Sequence, residues 1–354
     1  MVDCNPLISV VIPVYNSERT LSATLKSILD QQSGRRFEII LIDDGSAKNC
    51  AKLCDELADM YSDCIRCYHQ TNQGSLKARI NALKYCRGEY VIYVDADDLI
   101  IESSFSLIED NLVDECDIYL YDYYLQRQDS DNKEYIKTFS FEQDTIFDEN
   151  NKKDLFLSFL EDHINTMCGI VIRKEVLDKT SSYLENIERK IIIGEDKLQK
   201  MMILLNVEKA KYIHSSFYVY LLNGYSQSVN LQQKQYRESQ YEDFKITWEY
   251  ERKNYKNFYL SDDEIVYFDT KKVSRVIALL QALFDSNTYS VKFKKEQAKK
   301  ISQDTFFKEI YQNSKIGQQR IYIKIFASLL YNGKISLLYL FAKTVKFVRK
   351  VLYK

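Results

Sequence analysis

The sequence predicts an α/β protein: a mostly parallel central sheet with helices on both faces, followed by an all-helical C-terminal region. Three observations carry that expectation. In the first hundred residues, short apolar runs rich in β-branched residues alternate with stretches whose apolar residues recur at helical spacing. The runs are apolar at successive positions, as in strands buried between two layers of helices. Beyond residue 232 long, charged helical patterns take over, and no comparable strand run appears.

In chain order, LISVVIPV at 7–14 reads as the first strand, and Ser17 can cap a helix with Leu21, Leu25, Ile28 and Leu29 on one face. FEIILI at 37–42 is the second strand and ends in Asp43-Asp44-Gly45-Ser46. Leu53, Leu57 and Met60 mark the next helix, and Ile65–His69 a short third strand. A helix follows Gly74 with Leu76, Ile80 and Leu83 on one face, and Tyr90–Val94 runs into Asp95-Ala96-Asp97-Asp98. Ligands of parallel sheets sit outside the carboxyl ends of the strands. Four polar clusters fall at those ends: Tyr15-Asn16, Asp43-Asp44, Asn72-Gln73-Gly74 and Asp95–Asp98. Residues 117–225 read as mixed, with strands at 118–125, 169–172 and 217–222 and helices at 154–160 and 197–205. A boundary near 226–235 divides the chain into domains 1–228 and 229–354.

Composition narrows the function classes. With 354 residues, 45% apolar and 28% charged, the chain has the make-up of a globular protein of two to three domains. The balance of 49 basic and 51 acidic side chains gives a net charge of −2, which excludes a general nucleic-acid binder. No apolar run is long enough to span a bilayer, and the N-terminus lacks a signal-peptide pattern, so a cytoplasmic protein is expected. All eight cysteines lie in the first half, as suits free thiols in a reducing compartment. Cys64-Ile-Arg-Cys67 has metal-ligand spacing, with Cys50 and Cys54 upstream. Strand alternation around Cys67 favours incidental thiols over zinc. The stretch 320–354 holds eight Lys/Arg and no acid. There Leu337, Leu340, Phe341, Val345, Val348 and Leu352 form an apolar stripe, with Lys343, Lys346, Arg349 and Lys350 largely off it. Such a basic amphipathic helix reads as a membrane-surface contact.

Asp95–Asp98 carries the most chemical information. Carboxylates crowded at a strand end repel one another unless they share a cation. Mn²⁺ or Mg²⁺ favours such oxygens, accepts phosphate oxygens as well, and can act as a Lewis acid on a departing diphosphate. Neither G-x-G-x-x-G nor a P-loop occurs, so phosphate recognition falls to a metal rather than to a glycine-rich loop.

VIPVYNSERTL, IDDGS, NQGSLKAR, GEYVIYVDADD and IGEDK, in this order, resemble the family 2 glycosyltransferases of the GT-A fold, over about residues 7–225. The resemblance implies an inverting enzyme of bacterial polysaccharide or glycoprotein synthesis that uses a UDP-sugar. Pro13, Val14, Tyr15 and Asn16 would line the nucleotide pocket, with Glu18 near the ribose and Asp44 accepting from the uracil N–H. Asn72, Gly74, Lys77 and Arg79 would cover the base and diphosphate, although the usual A-R-N reads Ala78-Arg79-Ile80 here, with Asn81 one place later. Asp95, Ala96 and Asp97 match D-x-D, with Asp97 as direct metal ligand, Asp95 acting through ribose or water, and Asp98 assisting. Glu195 and Asp196 match the E-D motif, which implies Asp196 as the general base toward the acceptor hydroxyl. Tyr218, Tyr220, Tyr225 and Ser228 resemble the segment that closes the site, and His214 reads as a surface residue rather than a metal ligand. The expected donor is a UDP-hexose. The expected acceptor is a lipid-linked glycan at the inner membrane face or a glycan on a protein. Rival readings are a sugar-nucleotide nucleotidyltransferase and a silent GT-A-fold binding module.

Overall fold

The computed structural model of the protein describes residues 6–31, 37–127, 130, 132–138, 141, 143–161, 166–184, 187, 189–222 and 238–352, with 347–352 described by backbone only. The chain forms two compact units, Met1–Ser226 and Gln227–Lys354.

The first unit is built on one ten-stranded sheet. Its strands are β1 (Ile8–Val14), β2 (Phe37–Asp43), β3 (Ile65–His69), β4 (Tyr90–Tyr93), β5 (Leu99–Ile100), β6 (Ile118–Arg127), β7 (Lys133–Ile136), β8 (Thr145–Phe147), β9 (Ile170–Arg173) and β10 (Ala210–Leu222). The order is β3-β2-β1-β4-β9-β6-β10-β5, with β7 on β6 and β8 on β10. Strands β3, β2, β1 and β4 run parallel, β9 is antiparallel to both its neighbours, and β6 and β10 pair in parallel. The helices are α1 (Leu21–Leu29), α2 (Lys48–Met60), α3 (Ser75–Ala82), α4 (Ser104–Asn111), α5 (Lys152–Leu160), α6 (Lys174–Leu184) and α7 (Glu195–Leu205).

Alternation along the parallel strands explains the two helical layers. Val10, Ile12, Ile39, Leu41 and Ile92 join one cluster with Leu21, Leu25 and Ile28 of α1 and Cys50, Cys54 and Leu57 of α2. Val11, Ile40 and Val91 point to the other face and are equally buried, and α3 packs against β1 and β2. Each such aliphatic side chain contributes about 1.5–3 kcal/mol on burial. The short strands β5, β7 and β8 and helix α6 were not expected from sequence, and the strand expected at 217–222 is the end of the 13-residue β10. The helix expected through Leu83 ends at Ala82, and Leu83–Tyr85 tightens into a 3₁₀ turn.

The second unit is helical throughout its described residues: α8 (Gln240–Asn254), α9 (Asp262–Asp285), α10 (Val291–Gln303), α11 (Thr305–Asn313), α12 (Ile321–Tyr331) and α13 (Ile335–Leu352). Ser261 and Glu264 form a reciprocal capping box at the start of α9, and Ser290 and Asp304 cap α10 and α11. Val276, Leu280, Leu283, Phe284, Phe307, Phe326, Leu330 and Leu338 form its core, joined by Trp248.

The tail corrects one expectation. Helix α13 buries Leu338 and Ala342, whereas Leu337 and Leu340 of the expected apolar stripe are 55% and 64% exposed. The helix therefore turns one apolar row into the core and leaves a second outside. Side chains of Val348, Arg349, Lys350 and Leu352 lie outside the described residues. No described helix is long and apolar enough to cross a membrane.

Candidate active site

The carboxyl ends of β1, β2 and β4 carry the residues that the sequence singled out. β1 ends with Pro13 half-buried and Val14 buried, after which Tyr15 is 50% exposed and Asn16 takes a positive φ of 52°. That turn is locked to the end of β2. The Asn16 N–H donates to Ser46 Oγ at 3.0 Å, and the Ala47 N–H donates to Asn16 Oδ1 at 2.8 Å. Glu18 stands exposed on the same loop. Gly45 has φ +72°, and a Cβ there would lie 2.7 Å from the Asn72 backbone nitrogen, so only glycine fits between the two loops.

Asp44 is 4% exposed and organises the 72–74 loop. Its Oδ1 accepts from Gln70 Nε2 and the Gln73 N–H, both at 2.7 Å, and its Oδ2 accepts from the Gly74 N–H at 2.8 Å. Asn81 donates to Gln70 Oε1 at 2.8 Å, so the displaced asparagine of the Ala-Arg-Ile-Asn stretch supports Asp44 through Gln70. Three of the carboxylate's roughly four acceptor positions are thus engaged.

Lys190 is a residue that sequence reasoning missed. Its ammonium donates to Asn72 Oδ1 and lies 6.0 Å from the centre of the Tyr15 ring, and its stem passes over Gly74. An exposed cation thereby meets three expected donor-pocket residues across 118 positions of sequence. No motif marks it.

Lys77 and Arg79, expected to cover the base and diphosphate, both have protein partners. Lys77 Nζ donates to the carbonyl of Leu184 at the end of α6, at 3.2 Å. Arg79 is 2% exposed and lies beneath the surface. One nitrogen donates to Asp95 Oδ1 at 3.1 Å and another to Asp196 Oδ1. A buried guanidinium needs anionic partners, and these two acids supply them. The pairing raises the guanidinium pKa against the opposing effect of burial.

The acid cluster divides by exposure. Asp95, 34% exposed at its side chain, is pushed up to about 6 by desolvation, with Asp196 and Asp97 adding to the shift and Arg79 opposing it. Ala96 is buried, and its carbonyl accepts from Thr20 Oγ1 at 2.8 Å, while Asp97 is half-buried at the turn. Asp98 does not assist at the surface. It is 1% exposed and accepts from Tyr218 Oη at 2.7 Å and the Leu221 N–H at 2.8 Å. Burial holds its carboxyl well above the usual range. Tyr218 is likewise no lid: fully buried, its hydroxyl also accepts from the Asp95 N–H at 3.1 Å and so anchors the D-x-D turn from below. Asp95 and Asp97 offer hard carboxylate oxygens under mutual repulsion, a donor set that fits Mg²⁺ or Mn²⁺.

Gly194, at φ +85°, turns the chain into α7 and places Glu195 and Asp196 in its first turn, where the helix dipole favours negative charge. Asp196 is 22% exposed, and among the described residues no donor is paired to its Oδ2. Glu195 accepts from Ser75 Oγ at 3.3 Å, and burial pushes its carboxyl up to about 8. Burial thus favours the neutral form of Glu195 beside Asp196. One turn further on, Lys200 is buried and pulled down to about 7, with its ammonium on the Thr166 carbonyl.

His214 is not brought to the D-x-D turn. Its Nδ1 lies 3.0 Å from Tyr212 Oη and 3.2 Å from Asp122, in a separate polar group on β10 and β6. Tyr220 packs against Tyr123, and Tyr225 and Ser228 lie outside the described residues. A cavity of about 860 Å³ opens at the amino ends of β1 and β4, beside Leu7, Glu89, Tyr90 and Arg173, away from these acids.

Comparisons with known proteins bear on the family and the fold. Residues 9–181 match the model of glycosyl transferase family 2. The chain is 34% identical over 120 residues to the glycosyltransferase GlyG of Streptococcus pneumoniae, covering 33% of this chain and 39% of that protein. It is 27% identical over 227 residues to the cholesterol galactosyltransferase of Borreliella burgdorferi, covering 60% of this chain and 59% of that one. The match thus spans less than two thirds of either relative. Among solved structures, Staphylococcus aureus TarS 1–349 in complex with UDP-GlcNAc superposes with a TM-score of 0.63 at 16% identity, over 96% of this chain and 91% of that one. That likeness concerns the fold. Sheet topology and the solved structure show the GT-A fold, and residues 9–181 carry the glycosyl transferase family 2 match.

Proposed function

We propose that the protein is an inverting, metal-dependent hexosyltransferase that moves a sugar from a UDP-sugar to a hydroxyl of a glycan acceptor. In this reading residues 1–228 are the catalytic domain and 229–354 a helical domain. The observation that carries it is the Arg79 bridge, which holds an acid from the end of β4 and an acid from the start of α7 on one buried guanidinium. Donor-side and acceptor-side chemistry are thereby set at a fixed separation.

The residues have distinct tasks. Asp44 and the loop it holds receive the uracil, and Tyr15, Asn72 and Lys190 border the path toward the diphosphate. Asp95 and Asp97 would hold a divalent cation, which neutralises charge on the departing UDP when bound. Asp196 takes the proton of the acceptor hydroxyl through Oδ2. The new bond from that oxygen to the sugar C1 forms as the C1–O bond to UDP breaks, with inversion at C1. Arg79 keeps Asp196 aimed, and burial favours the neutral form of Glu195 beside it.

The acceptor is proposed to be carried on a lipid at the cytoplasmic membrane face. In the helical unit, Ile321 and Ile325 of α12 and Leu337 and Leu340 of α13 are exposed, with Arg320 and Lys334 exposed on the same helix pair. Apolar side chains with flanking cations suit an anionic lipid surface, where each cation adds about 1 kcal/mol.

The test is UDP release across a panel of UDP-sugars, with Mn²⁺ and with EDTA, for wild type and Asp97→Ala. One sugar released only with metal and only by wild type is the expected result. Equal release in EDTA would sink the metal dependence, and absence of UDP-sugar binding by calorimetry would sink the donor class.

A further inference from the structure

A second cluster of ligating side chains lies where α2 packs on β3, outside the acids described above. Strand alternation turns Cys67 and His69 of β3 to one side, and the β3 pairing sets His69 next to Asp43 of β2. Asp55 of α2 reaches the same place. His69 Nε2 is 2.9 Å from Asp55 Oδ1 and 3.8 Å from Cys67 Sγ. A ligand atom from each of the three lies within 4.8 Å of the others.

The other ring nitrogen is already assigned. His69 Nδ1 is 2.8 Å from Asp43 Oδ2, and Asp43 is 3% exposed, with its Oδ1 taken by the Ser46 N–H at 3.0 Å. The carboxylates at both ring nitrogens, Asp43 first, raise the imidazole pKa. Asp43 fixes the ring from Nδ1, while Nε2 faces Asp55 and Cys67 with a proton that a metal ion would displace. That is the arrangement of metal-binding histidines, whose second nitrogen is held by a carboxylate. The three ligand atoms converge on one point, where either a proton or a metal ion can sit between them.

From this geometry we propose that Asp55, Cys67 and His69 bind one zinc-class cation through a carboxylate oxygen, a thiolate and an imidazole nitrogen. Tetrahedral Zn²⁺ with ligands at about 2.0–2.3 Å fits a group this compact after small side-chain adjustments. The donor softness separates this site from the all-oxygen pair Asp95 and Asp97, which suits Mg²⁺ or Mn²⁺. His69 and Asp55 are 44% and 60% exposed, so an ion enters from solvent and water completes its shell. The buried Cys54 thiol is hydrogen-bonded to Cys67 from within. The ligands thus come from a helix and alternate strand positions, not from the Cys64–Cys67 spacing. Through Asp43 the site is joined to the Ser46 turn of the donor pocket.

Co²⁺ is the probe: the full chain, reduced and stripped with EDTA, is titrated with Co²⁺ and followed by absorption. A thiolate-to-cobalt charge-transfer band saturating at one equivalent and displaced by Zn²⁺ is expected. The band persists in Asp97→Ala, is lost in Cys67→Ser and His69→Gln, and needs about 10–100-fold more cobalt in Asp43→Asn. Circular dichroism checks that each variant folds; if Cys67→Ser does not, His69→Gln and the wild-type band decide. A wild type without the band, or a band kept in folded Cys67→Ser or His69→Gln, overturns the proposal.

Discussion

Arg79 in the first unit and Lys272 in the second are buried to nearly the same extent, with 3% and 4% of their side chains exposed. Both meet carboxylates. Lys272 pairs at 2.8 Å with Glu251, which is itself 2% exposed, and also donates to Tyr255 Oη. Arg79 pairs with Asp95 and Asp196, which remain 34% and 22% exposed. The ingredients are the same, and the difference is where the acids end. Around Lys272 the partners Glu251 and Tyr255 are themselves buried in a helical core. Around Arg79 the acids carry the charge of a buried cation out to a surface that a substrate can reach. Buried charge by itself therefore marks neither function nor stability; the exposure of its partners separates the two cases.

The sharpest test of that contrast is Asp196→Asn, which keeps the shape and removes the base. We expect kcat to fall by about 10²–10⁴ while UDP-sugar affinity by calorimetry stays within a few-fold. An unchanged kcat would leave Asp196 as no more than a helix-terminal acid.

Next come the cations themselves. Lys272→Met strands Glu251 in the interior and should cost about 3–5 kcal/mol in urea unfolding. Arg79→Met leaves acids that still reach solvent and should cost less. Only Arg79→Met should lose turnover per folded molecule. If Lys272→Met loses as much, the contrast between the networks fails.

A smaller effect concerns protons. Glu195 moves from an ordinary 4.5 to about 8 in the folded protein, so the native state binds the proton more tightly than the unfolded chain. Its stabilising contribution is full below about pH 4.5 and disappears as pH rises toward 8. Urea midpoints measured across that range should fall with pH, and Glu195→Gln should flatten the fall. A slope equal to wild type would show that Glu195 is ionised at neutrality.

The smallest change in stability is expected on the outer face of the second unit. Leu337→Asp with Leu340→Asp removes exposed apolar area only, so stability should change by about 0.5 kcal/mol or less. Binding to anionic vesicles in a sedimentation assay should drop severalfold. Equal sedimentation would remove the membrane role of this face.

Much of the site was already legible in the sequence because its signals are local. Continuous apolar runs announce β1, β2 and β4, and the acids that end them sit one or two residues further on, so Asp44, Asp95 and Asp97 needed no long-range contact to be noticed. Asp196 stood out only through its match to the E-D motif, because an acid opening a helix is by itself an ordinary helix-terminal residue. Other assignments failed where a side chain's partner is distant in the chain. Arg79 has the same neighbours in sequence whether it faces a nucleotide or the interior. Asp196, 117 positions away, is what makes the interior tolerable for it.

The amino-acid order by itself determined the strand–helix alternation, the polar strand ends and the helical character of the C-terminal unit, because burial of apolar periodicity is read over a few residues. Tertiary structure alone decided which acids face solvent, that Asp98 and Tyr218 hold the D-x-D turn from below, and that Lys190 reaches Asn72. It also decided which apolar row of α13 is buried. Desolvation and hydrogen-bond partnership depend on what packs around a side chain, and packing brings together residues that sequence spacing leaves apart.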